Sequence, residues 1–193
     1  QITVANNTGV YVKTDFSMDA STWTMGNNNL LYVRNEDLKL SSTSSLTMGS
    51  SSKIYATGFM NVDKTLIMGT NSTLYTGQGM QLEANSIMTM PGAAFIYLAN
   101  NSANKVSTNT LITGGQSTLT LGTLGQAAVF YCNGSTNNGG TININGPTSG
   151  TDKTKVYFTG NFDLNNYSVL NVAGNVEIYI SGTMKLNNNI NIK

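Results

Sequence analysis

The chain has 193 residues, of which 39% are hydrophobic and only 10% charged, with a formal net charge of +1 and no histidine. Near-neutrality removes the electrostatic case for nucleic acid or an anionic membrane as partner. No run of about 20 apolar residues is present to insert into a bilayer. The missing histidine takes away the commonest general base and metal ligand together, and Cys132 has no second cysteine to pair with.

Alternation starts at once. Ile2 and Val4 flank Thr3, Tyr11 stands between Val10 and Val12, and Phe16 and Met18 flank a serine. In a strand, neighbours point to opposite faces, so the apolar flanks go inward and the residue between them outward. The three-part unit returns with Trp23/Met25, Tyr32 and Leu38/Leu40. It then comes twice almost verbatim, as LTMGSSSKIYATGFMNVD from Leu46 and LIMGTNSTLYTGQGMQLE from Leu66, with Tyr55 and Tyr75 at the same place. Met88/Met90 with Tyr97, Leu119/Leu121 with Tyr131, Tyr157 with Phe162/Leu164, and Leu170/Val172 with Tyr179 and Met184/Leu186 complete the series.

The tyrosine spacings are 21, 23, 20, 22, 34, 26 and 22 residues. Three short strands per period, joined by Gly, Asn and Ser turns, are too short and too regular in alternation to be helices. They predict an all-β chain: a three-faced parallel β-solenoid of about eight coils, roughly 40 Å long, with no capping helix. One domain spans 1–193, and the long spacings place insertions near 99–118 and 132–154. Those are expected to bulge from one side or to leave a coil short of one face; TININ is the one readable strand in the second.

Over nearly its whole length this pattern resembles the repetitive extracellular β-solenoids of bacterial surface proteins, filamentous adhesins and passenger domains. It is also similar to bactofilin-type polymers. The resemblance is one of architecture, and it implies a structural or adhesive role. A start at Gln1, directly in a strand pattern, fits a processed chain that is secreted to the outside or the cell surface.

Four features are candidates for function. Ile2, Thr3 and Val4 at one end and Ile190, Asn191 and Ile192 at the other read as ordinary first strands. Open strand edges that complement each other propagate, so the expected partner is a further copy, stacked head to tail into a filament. The eight outward tyrosines (Tyr11, Tyr32, Tyr55, Tyr75, Tyr97, Tyr131, Tyr157 and Tyr179) are expected to form a ladder that stabilises its sheet, bundles filaments laterally or holds a glycan. Outward pairs such as Thr22-x-Thr24, Ser45-x-Thr47 and Thr118-x-Thr120 resemble the ice-binding face of some antifreeze proteins. Asp63 and Glu83 fall in one column of adjacent coils, the nearest thing to a carboxylate pair, and read as solvated strand ends. No enzyme activity, cofactor or metal is expected. Asn-x-Ser/Thr acceptors stand at Asn6, Asn71, Asn100, Asn133 and Asn166.

Overall fold

The computed structural model describes residues 1–92, 94–98, 111–113, 115–132, 135–137 and 139–193. The chain winds upward in coils of three strands. The first three coils are β1 (Ile2–Val4), β2 (Gly9–Val12), β3 (Phe16–Met18); β4 (Thr22–Met25), β5 (Leu30–Val33), β6 (Leu38–Leu40); and β7 (Ser45–Met48), β8 (Lys53–Ala56), β9 (Met60–Val62). Next come β10 (Thr65–Met68), β11 (Ser72–Thr76), β12 (Met80–Leu82); then β13 (Ile87–Met90), β14 (Ala94–Leu98), β15 (Leu111–Thr113). The sixth and seventh coils are β16 (Thr118–Leu121), β17 (Val129–Cys132), β18 (Ser135–Asn137) and β19 (Thr141–Asn145), β20 (Thr154–Phe158), β21 (Phe162–Leu164). The eighth is β22 (Val169–Ala173), β23 (Val176–Ile180), β24 (Met184–Leu186), and β25 (Asn191–Ile192) begins another turn.

Every strand pairs in parallel with its equivalent one coil away. The first wall runs from β1 to β25 with nine strands, the second from β2 to β23 with eight, and the third from β3 to β24 with eight. This is a three-walled parallel β-solenoid of about eight turns, all-β and without a helix among the described residues. Neither long tyrosine spacing leaves a wall missing. The segment 99–118 contains β15, third-wall strand of the fifth coil, although residues 99–110 lie outside the described part. The segment 132–154 contains β18 in the third wall and TININ as β19 in the first.

Alternation fixes which side chains fill the tube. Leu46, Leu66, Met88, Leu119 and Ile142 align across the first wall, as do Met48 with Met68 and Leu121 with Ile144, all fully buried or nearly so. Each such side chain contributes about 1.5–3 kcal/mol by leaving water, and stacking like on like leaves no odd shapes to fill. Methionine, unbranched and adaptable, takes six of the buried first- and third-wall positions between Met48 and Met90.

The glycine of the L-x-M-G repeat answers a packing demand, not a dihedral one. A Cβ on Gly69 would lie 2.4 Å from the Ser50 amide nitrogen and 2.5 Å from the Gly49 carbonyl carbon, in the coil below. The left-handed residue of the same corner is taken instead by Asn7, Asn28, Ser51 and Asn71, at φ between 55° and 58°. Asparagine tolerates that region because its short amide bonds locally. The corners also carry buried polar columns. Asn29 accepts from the Thr8 amide at 2.7 Å and donates to the Ala5 carbonyl at 2.8 Å, and Ser44 Oγ donates to the Met18 carbonyl at 2.5 Å. The Asn29 bonds satisfy backbone groups that the turn would otherwise leave unpaired between coils, and Ser44 adds a second donor to the Met18 carbonyl, which also accepts from the Ser41 amide.

Candidate functional site

The second wall brings the tyrosines together in two runs rather than one. Tyr11, Tyr32, Tyr55, Tyr75 and Tyr97 follow each other as Cα partners. At the next junction Phe95, not Tyr97, lies opposite Tyr131, and from there Tyr131, Tyr157 and Tyr179 are in register. The eight-ring ladder is therefore broken by a slip of two residues. Such a slip keeps every side chain on its own face, because strand periodicity is two. The Tyr97 side chain lies outside the described part of the structure.

The runs also differ in ring geometry. Tyr11 and Tyr32 meet edge to face, with centroids 6.1 Å apart and planes at 68°, and Tyr55 and Tyr75 tilt by 36° at 5.6 Å. Tyr131, Tyr157 and Tyr179 stack nearly parallel, at 4.9 and 4.8 Å with planes 10° and 9° apart. In a parallel stack the ring faces cover one another. Between its members this run offers solvent edges and hydroxyls, which is poor geometry for a sugar ring that packs face-on; only the outer face of Tyr179, on the last strand of the wall, is left open.

Beside this stack the corner between first and second walls is enlarged. In the second to fourth coils it is 26–29, 49–52 and 69–71; in the sixth and seventh it is 122–128 and 146–153. The two long corners lie one above the other and are tied down. The Gly125 amide donates to the Gly146 carbonyl at 3.0 Å, and Thr154 Oγ1 to the Gln126 carbonyl at 3.3 Å. Asn175 donates its side-chain amide to the Gly150 carbonyl at 3.1 Å. They form the rim of a groove of about 430 Å³ whose inner wall is Val129, Lys155 and Glu177, themselves Cα partners on adjacent coils.

Glu177 is the centre of the polar contacts there. Lys153 Nζ donates to its Oε1, and the Tyr179 hydroxyl donates to its Oε2 at 2.6 Å. The Lys153 hydrogen bond first, and the Tyr179 one after it, hold the Glu177 carboxyl below its ordinary range. The same bond to Glu177 pushes the Tyr179 phenol up. Since the Glu177 pKa is lowered in the folded chain, this arrangement is present at neutral pH and is lost as pH falls through the folded value.

The first wall presents two outward columns. Thr22, Ser45, Thr65, Ile87, Thr118, Thr141 and Val169 form one; Thr3, Thr24, Thr47, Ile67, Thr89, Thr120, Asn143 and Asn171 form the other. The members named are uncharged, and Lys193, bonded to the backbone on either side of Asn171, ends the second column. Asn171 Nδ2 donates to Asn143 Oδ1 at 2.8 Å, and Asn143 Nδ2 to Thr120 Oγ1 at 3.3 Å.

At the ends, β1 pairs only with β4 and β25 only with β22, so Ile2, Thr3, Val4, Asn191 and Ile192 sit on opposite edges of the same wall, with Ile190 packed on the core. Residues that belong to core columns are open to solvent there, Leu186 at 52% and Ile192 at 51%. Asp63 and Glu83 do fall on adjacent coils, and Glu83 Oε1 accepts from Asn61 Nδ2 at 3.0 Å, which makes it part of a side-chain ladder.

Cys132 is buried inside the second wall, and burial pushes its thiol up to about 12. A neutral thiol is a poor nucleophile. Because the folded value is raised above the ordinary 9.0, the folded state loses stability as pH climbs from about 9 through about 12, where the unfolded chain releases the proton first. The expected result is no iodoacetamide labelling of Cys132 at pH 8 until the chain is unfolded, with mass spectrometry as the readout. Fast labelling of the native chain would contradict its position.

No family model, no curated protein and no solved structure matches the chain.

Proposed function

We propose that the protein is a structural rod that lengthens by adding coils edge to edge, the added coils coming from a further copy, as the subunit of an extracellular filament or surface fibre. The observation that carries this reading is the uniform parallel stacking of all three walls up to edges where core columns stand uncovered. Unpaired strand edges with a ready-made hydrophobic pattern are templates for another strand.

Between copies of the 193-residue chain, the strand count constrains the joint. The first wall has nine strands and the others eight. A second copy placed with its β1 on β25 would leave one strand place empty in each of the other two walls. Turning that copy by one wall removes the gaps: its β1 lies on β23, its β2 on β24 and its β3 on β25. All three sheets then continue without a break. Sedimentation of the purified chain tests the reading. The wild type should form large polymers, and Thr3→Pro, which removes a ladder donor from β1, should remain small; a wild type that stays monomeric at high concentration would overturn it.

A second reading rests on the first wall. Two columns of Thr, Ser, Ile, Val and Asn, uncharged and in register up to Lys193 at the last turn, resemble an ice-binding surface. Thermal hysteresis that vanishes in Thr47→Lys would support it, and no hysteresis in the wild type would remove it.

A further inference from the structure

The geometry points to a saccharide-binding groove at the enlarged corner of the sixth and seventh coils, for a neutral oligosaccharide lying between the rim at Thr151–Lys153 and the wall made by Val129, Lys155 and Glu177. Two observations meet there and are not combined elsewhere among the described residues. The two long corners occupy adjacent coils, so they add to each other and make the surface concave. Their own backbone is held by bonds to neighbouring coils, so the rim is built before any ligand arrives. Preformed concavity with a few fixed polar groups is the usual form of a small-ligand site.

The lining selects the chemistry. Two ammonium groups, Lys153 and Lys155, stand with two carboxylates, Asp152 and Glu177, so the groove has no net charge with which to attract an ion. It does offer donors and acceptors side by side. Lys153 and the Tyr179 hydroxyl each fix one oxygen of Glu177, and each of those oxygens has a further lone pair with which to accept a ligand hydroxyl. Val129 and Ala127 supply methyl groups next to this polar set. A polyhydroxylated, uncharged chain with C–H faces between its hydroxyls fits both halves. An anionic ligand would meet two carboxylates, and a cationic one would meet two ammonium groups.

This places glycan recognition away from the ring faces that Tyr131, Tyr157 and Tyr179 turn to one another. The stack acts here through one atom, the Tyr179 hydroxyl, as a positioning group for Glu177. The proposal does not depend on polymerisation, since the groove lies within one chain.

The test titrates the isotopically labelled Thr3→Pro chain, which stays small enough for solution resonances and is unchanged at the groove, with cellohexaose, N-acetylchitohexaose and maltohexaose, and in parallel with an oligogalacturonate and an oligolysine peptide, the further variants being made in the same chain. At least one neutral hexasaccharide is expected to shift the amide resonances of Lys153, Lys155 and Glu177. Its affinity should fall by about tenfold or more in Glu177→Ala and in Lys155→Ala. Lys39→Ala, on the third wall, should bind like the wild type. Tyr179→Phe keeps the ring stack and should weaken binding without altering the fold, as followed by the Tyr131 and Tyr157 ring signals. The proposal is overturned if no neutral hexasaccharide binds at millimolar concentration, if only a charged probe perturbs the groove, or if binding survives the Glu177→Ala and Lys155→Ala changes together.

Discussion

Replacing Leu66 by Asp is expected to unfold the chain, whereas Ile67→Asp, one residue further on, should cost about 1 kcal/mol or less. Leu66 is completely buried and has Leu46 below it and Met88 above it in the same column. The substitution removes about 2–3 kcal/mol of apolar burial. It also places a carboxylate in a dry tube where neither neighbour can pair with it, at a cost of several kcal/mol even after relaxation. Together these approach the 5–15 kcal/mol that holds a typical domain together. Ile67 points the other way and is exposed in the Thr column. Urea unfolding followed by circular dichroism separates the two, and similar losses for both variants would refute the inward–outward assignment.

The second large effect concerns the joint between copies. In a joint turned by one wall, Thr3 of one copy lies opposite Tyr179 of the next, because Ile2 and Val4 then continue the inward columns of Ile178 and Ile180. In an unturned joint Thr3 would lie opposite Lys193, since Leu170 pairs with Ile192 and continues the column of Ile2. Adjacent strands are about 4.8 Å apart, a separation that a disulfide spans without strain. Oxidation of the Thr3→Cys, Tyr179→Cys chain should therefore give a covalent ladder of multimers on a non-reducing gel, and the Thr3→Cys, Lys193→Cys chain should give almost none. Cys132 is buried and does not compete. The reverse pattern would establish the unturned joint, and no ladder from either would remove end-to-end pairing.

Most of the tube was legible because its signal is local. Leu46 and Met48, or Met60 and Val62, announce themselves by alternation within four letters, and the period then repeats it. The third-wall strands Leu111–Thr113 and Ser135–Asn137 were harder, since they sit in polar surroundings and the second has no apolar residue at all. Their partners, not their composition, make them strands. The break in the tyrosine column was hidden for a related reason. Phe95 and Tyr97 stand two apart in β14, so either can lie opposite Tyr131 with strand alternation unchanged. Sequence spacing alone chooses the tyrosine; the observed register chooses the phenylalanine.

The groove could not be read from the chain for a different reason. Its two rims, 122–128 and 146–153, are separate in sequence, and each alone looks like a long turn. Only the rise of the solenoid puts them on neighbouring coils beside Glu177. The Asn and Ser corner columns were within reach: Ser44, Ser86, Ser117 and Ser168 each stand two residues before a buried Leu or Met, a buried polar position repeated with the period of the fold.

Electron cryo-microscopy of the purified chain decides whether copies join end to end. Filaments are expected in which strand spacing of about 4.8 Å continues across subunit boundaries, with successive copies turned by one wall. Discrete particles about 40 Å long, with no continuation of the three walls beyond β1 and β25, would contradict end-to-end joining.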